Sequence, residues 1–146
     1  MYSFVKPGMK VLYLADNAGE IGFDKLLIGE LKRVGARVSL VVKGSPVLED
    51  ALLEDARFFK LEEEVDEVLT TPDGEVGLDP SAIGGALLKA YREAELVIAK
   101  GMGHYETLSE LPARPPVAHL LKAKCGPIAR SLSVEVGSLV VKLRRS

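Results

Sequence analysis

Val11-Leu12-Tyr13-Leu14-Ala15-Asp16-Asn17-Ala18-Gly19-Glu20 is the stretch that decides the fold. Its first half is apolar at every position, and its second half is a polar glycine turn. An uninterrupted Val/Leu run is buried on both faces, as strands of a parallel sheet flanked by helices are. Ile21, Phe23, Leu26, Leu27, Leu31 and Val34 follow with the spacing of one helix face, and Lys32-Arg33 before Gly35 is a helix stop. The alternation then repeats. Strands are expected at Lys10–Ala15, Arg37–Val42, Glu67–Thr71, Leu96–Ala99, Val117–Lys122 and Ser138–Leu143. A second helix is expected over Val47–Phe59, with Leu48, Ala51, Leu52 and Phe58 inward. A third begins at Asp79-Pro80-Ser81, Asp79 capping and Pro80 opening it, and carries Ile83, Ala86, Leu87, Ala90 and Tyr91. Shorter helices are expected over Tyr105–Leu111 and Pro127–Leu132. The fold class is α/β: one domain over residues 1–146, a three-layer α/β/α sandwich on a mostly parallel, Rossmann-like sheet.

Composition bounds the function. The chain has 146 residues, 47% hydrophobic and 27% charged, with a net charge of −2. This is globular composition with no general attraction to nucleic acid or anionic membrane. One cysteine excludes an internal disulfide, and no signal peptide or membrane-length apolar run is visible, so a cytoplasmic protein is expected. There is no glutamine, and Asn17 is the single asparagine. That scarcity of fragile residues suits a thermophilic protein. Asn17 has two readings: it tolerates a left-handed turn well, or it supplies a neutral oxygen beside Asp16.

In open parallel sheets, ligands bind beyond the carboxyl ends of the strands where strand order reverses. With order 3-2-1-4-5-6, three polar segments meet there: Asp16 to Glu20, Lys43-Gly44-Ser45-Pro46 with Asp50, and Lys100-Gly101-Met102-Gly103. The turn lacks both the G-x-G-x-x-G dinucleotide fingerprint and the P-loop pattern. Two carboxylates and an amide oxygen suit Mg²⁺ or Mn²⁺, ions that complete their shell with water and phosphate. Lys100 and the adjacent glycines suit a phosphate. Each residue also has a bland role: Asp16 and Asp50 as caps or solvated charges, Lys100 as a snorkelling strand end, the glycines as turn formers. His119 reads as a satisfied core or strand-face residue, Cys125 as non-catalytic, Glu62-Glu63-Glu64 as a solvated segment and Arg144-Arg145-Ser146 as a frayed tail. His104 lies in the glycine loop within reach of a ligand, with too few His or Cys around it for zinc.

These segments resemble the metal-dependent damage-control phosphatase family, first catalogued as a domain of unknown function. The similar blocks are Asp16-Asn17-Ala18-Gly19-Glu20-Ile21 with Phe23-Asp24, then Val42-Lys43-Gly44-Ser45-Pro46 leading to Asp50-Ala51. Ala94 through Gly101 with Tyr105-Glu106-Thr107-Leu108 follow, then Leu121 to Cys125 and Gly137 to Val141. The resemblance implies a divalent-metal phosphatase for small phosphorylated metabolites, sugar phosphates or damaged cofactor precursors. It carries the metal ligands to Asp16, Asn17 and Asp50, with Mn, Mg, Co or Ni as the ion. Asp16, Asp50 and Lys100 are the expected catalytic residues, Lys100 binding phosphate. Glu20, Asp24, Lys43, Gly101, His104 and Tyr105 are expected to face the substrate, the leaving group pointing toward Tyr105 and His104. A metal-bound water and an aspartate both stand as the attacking species.

Family members usually carry a helical region before the first strand, whereas this chain starts almost at that strand. An apolar surface left there would be covered by self-association or by a partner. His104 also replaces the commoner Asn. The alternative function is a non-catalytic metal and phosphate-ester binding or regulatory module. A haloacid-dehalogenase-like mechanism ranks low, because it wants an Asp where Ala18 stands.

Overall fold

A computed structural model describes residues 5–46, 49–72, 78–109, 111 and 115–145. The strands are β1 (Lys10–Leu14), β2 (Arg37–Val42), β3 (Glu67–Thr70), β4 (Leu96–Lys100), β5 (Val117–Lys122) and β6 (Leu139–Arg144). They form one sheet in the order β3-β2-β1-β4-β5-β6. All neighbours are parallel except β5 and β6, so the chain is an α/β protein with a mostly parallel sheet. The helices are α1 (Ile21–Arg33), α2 (Leu53–Phe58), α3 (Gly85–Glu93), α4 (Gly101–Leu108) and α5 (Gly126–Ser131). Among the described residues, no helix is long and apolar enough to cross a membrane.

β1 is central, with Tyr13 in register with Leu40 of β2 and Ile98 of β4. Both of its faces are covered, which is why its sequence does not alternate. Ile21, Ile28 and Leu31 of α1 pack on Tyr13, Leu40 and Ile98. Leu12, Leu14 and Val97 point the other way, onto Leu87 and Tyr91 of α3 and Leu108 of α4. α1 stops after Lys32-Arg33 because Gly35 turns with φ +93, a left-handed conformation that L side chains rarely adopt. β6 is one edge strand, with Leu139 85% and Val141 70% exposed.

Several expectations need correction. α1 turns Asp24 inward, not Phe23 or Leu26, which are 74% and 71% exposed. Tyr13 and Lys100 both donate to the Asp24 carboxylate, so the helix can bury it. The second helix is shorter than Val47–Phe59: it starts at Leu53, and residues 49–52 run extended. Val47 and Leu48 lie outside the described residues, and Phe58 points to solvent. α3 starts at Gly85. Asp79 instead closes a local turn, accepting from the Ser81 amide at 2.9 Å and its hydroxyl at 2.7 Å. Arg144 is no frayed tail, since it ends β6 and donates to the Leu108 and Leu111 carbonyls at 2.7 Å each. His119 is fully buried yet unsatisfied: neither ring nitrogen finds a partner, and the ring stacks edge-on against Tyr105.

Candidate functional site

The exits of β1 and β2 are laced together by the extended strap 49–52. The Ala18 amide donates to the Glu49 carbonyl at 2.8 Å, Ala51 to Asp16 at 2.7 Å, and Lys43 to Ala51 at 2.9 Å. These bonds set Asn17 opposite Asp50 in an antiparallel bridge. Asp16 therefore caps no helix. α1 has Glu20 as its N-cap, with no side-chain capping bond, and Asp55 rather than Asp50 closes the start of α2 by accepting from the Leu52 amide.

β4 delivers the opposite wall. Lys100 is its last residue, and Gly101 opens α4 with φ +87. A Cβ on Gly101 would strike the Asp16 carboxylate, so the two exits can meet only because that residue is glycine. The first turn of α4, Gly101-Met102-Gly103, lines the cavity between these walls. The leading N–H groups of a helix lack intrahelical partners and favour an anion.

The cavity measures about 510 Å³. Asp16, Asn17, Glu20, Asp50, Lys100, Gly101 and His104 line it, so the structure brings these candidates together. Asp24, Lys43 and Tyr105 lie behind the wall, 2%, 3% and 5% exposed. Asp24 accepts from Tyr13 Oη at 2.6 Å and from Lys100 Nζ at 2.8 Å. Lys43 Nζ is 3.9 Å from Asp50 Oδ2. The Tyr105 hydroxyl pairs with Ser131 Oγ at 2.9 Å. Asp24 thus fixes Lys100, whereas Lys43 faces Asp50 beyond hydrogen-bond distance and the Tyr105 hydroxyl is engaged by Ser131.

The sequence reading missed the far wall. Lys122 and Lys124 line it with Met102, Leu120, Leu139 and Val141. Adjacency supplies the signal: β5 is the neighbour of β4, so Lys122-Ala123-Lys124 leaves the sheet at the same crevice.

The electrostatics divide the cavity. Burial, followed by the negative charges of Asp50 and Glu20, pushes Asp16 up to about 6, while Lys124 and Lys100 pull against them. Burial likewise raises Asp50, with Lys43 opposing. Burial alone would lower Lys100, but the Asp24 hydrogen bond and the charges of Asp24 and Glu20 reverse that and raise it. Burial, with the positive charge of Lys43, lowers His104 to about 3. His104 is thus neutral, with Nε2 donating to the Ala15 carbonyl at 3.1 Å and Nδ1 left as a lone pair without a partner.

Among the described residues, no three His, Cys, Asp or Glu side chains cluster as a metal site. The donor chemistry nevertheless fits a hard divalent cation. Two carboxylates, one of them Asp16 with its proton affinity raised by the charge of Asp50, sit with one amide, and such ions need only one or two carboxylates plus water and phosphate.

The fold is that of an α/β protein with a six-stranded, mostly parallel, Rossmann-like sheet, and acidic and amide oxygens, lysines and a helix N-terminus line one cavity at its switch point, where such sheets bind their ligands. The chain belongs to the family of the damage-control phosphatase ARMT1-like domain, whose sequence model matches residues 3–140. It is 46% identical over 134 residues to a damage-control phosphatase of Archaeoglobus fulgidus, covering 92% of this chain and 46% of that protein. It is 36% identical over 141 residues to a damage-control phosphatase of Pyrococcus horikoshii, covering 96% of this chain and 48% of the relative. A crystal structure of a DUF89 family protein from the same archaeon superposes with a TM-score of 0.89 at 36% identity, covering 96% of this chain and 49% of that one. The chain thus spans about half the length of the relatives it matches.

Proposed function

We propose that this domain is a divalent-metal-dependent phosphatase for small phosphorylated metabolites, with sugar phosphates and damaged cofactor precursors as the substrate class. The observation that carries the reading is that Asp16, Asn17 and Asp50 line the same cavity as Lys100, Lys124 and the first turn of α4. The names of the relatives support the phosphatase role. Asp16, Asn17 and Asp50 would hold the ion, which when bound supplies Lewis-acid polarisation of a phosphoryl oxygen. Lys100 and Lys124 offset charge on the remaining oxygens, and the α4 amides orient them, because positioning and neutralisation dominate phosphoryl transfer.

The test is hydrolysis of a panel of phosphate monoesters with Mn²⁺, Mg²⁺, Co²⁺ or Ni²⁺, beside Asp16→Ala and a chelated control. Asp16→Ala is expected to lose at least about a hundredfold in kcat/KM. Turnover that survives that substitution sinks the reading. The alternative is a non-catalytic metal and phosphate-ester binding or regulatory module. Tight ester binding without turnover selects it.

A further inference from the structure

Two carboxylates meet the same ammonium, Lys100 Nζ, and they differ in whether a ligand can displace them. Asp24 is 2% exposed and takes Lys100 at 2.8 Å on the oxygen that also receives the Tyr13 hydroxyl at 2.6 Å. Removing a buried partner leaves an uncompensated charge, so this pair is permanent. Glu20 has a 49% exposed side chain, stands 3.6 Å from Nζ, beyond hydrogen-bond reach, and lines the cavity. An exposed pair of this kind contributes little and exchanges readily.

We propose that Glu20 is an exchangeable counter-ion: without ligand its carboxylate occupies the anion position at Lys100, and an arriving phosphoryl group takes that place. Ligand entry is then a swap of one anion for another on an ammonium that Asp24 keeps stationary. This rests on the cavity being a phosphate-ester site. It adds a specificity-determining residue, because only a ligand group whose charge outcompetes a carboxylate displaces Glu20.

The experiment measures inorganic phosphate binding to the full chain by calorimetry. Glu20→Gln is expected to tighten binding about three- to fivefold, the size of a released exposed ion pair. Glu20→Asp keeps the charge but shortens the reach, and is expected to tighten binding as Gln does. If Glu20 merely repelled anions at a distance, Glu20→Asp would match wild type, and that result overturns the proposal. In a Lys100→Met background the gain from Glu20→Gln should vanish, and its persistence is equally fatal. Should Lys100→Met not fold, the Glu20→Asp result decides alone, since the side chain at position 20 is half exposed and lies outside the core. Hydrolysis with unchanged or weakened phosphate affinity in the Glu20 variants rejects this inference and leaves the phosphatase reading standing. Tightened affinity without hydrolysis does the reverse, and no phosphate binding by wild type rejects both.

Discussion

Gly101 and Asp16 share a space that admits one side chain. At φ +87, with the Asp16 oxygens where a Cβ would go, Gly101→Ala must strain the backbone or expel the carboxylate. The expected cost is about 1–3 kcal/mol of stability, from the backbone alone. Denaturant titration checks the first part, and loss of Mn²⁺ binding by calorimetry checks whether Asp16 has moved. Asp16, Asn17, Asp50 and Lys100 were legible as neighbours because strand order alone brings their turns to one crevice. The places of Asp24 and Tyr105 were not, because each is set by a partner remote in sequence, and that of Lys43 was not, because burial draws it behind the wall beside Asp50. Asp24 is the clearest instance, held by a lysine 76 residues away.

Among the elements, α1 separates what periodicity can and cannot tell. Its length was readable, but its inward stripe was drawn through Phe23 and Leu26, since large apolar residues dominate any spacing count. The buried stripe is Ile21, Asp24, Ile28 and Leu31, centred partly on a carboxylate that only tertiary pairing makes buriable. The contrast can be measured by chemical denaturation. Ile28→Ala, at a fully buried position, is expected to cost about 2–5 kcal/mol. Phe23→Ala is expected to stay within about 0.5 kcal/mol. Reversed magnitudes would restore the stripe drawn from spacing. The strap 49–52 failed as a helix for a related reason. Ala51 and Leu52 have helical spacing to their neighbours, but the Asp16 carbonyl and the Lys43 amide claim the backbone of Ala51 first. The six strands were readable because continuous apolar runs between turns have few alternatives in a chain of this composition.

Across the whole molecule, two buried histidines tie stability to acidity. A histidine's ordinary value is 6.5, whereas burial, with nearby positive charge, lowers His119 to about 4 and His104 to about 3. The folded chain thus binds these protons more weakly than the unfolded chain. Their contribution is complete above 6.5 and drains away as pH falls toward 4 and then 3. The raised Asp16 carboxyl, near 6, pulls the other way over the same interval, so the histidine share is read by difference: His119→Phe, which keeps the edge-on contact with Tyr105, should lose less melting temperature on acidification than the parent chain. An unchanged slope in that variant would assign the acid sensitivity elsewhere. The lacing of residues 49–52 has a consequence for how such a domain can change over generations. Gly44, just before the strap, is fixed as well: its amide donates to Thr71 Oγ1 at 3.2 Å, and a Cβ there would strike the Thr71 carbonyl. One residue added inside the strap shifts its pairing by a single step and turns the Asp50 side chain to the opposite side. Length variation inside the strap is therefore fatal to the ligand set.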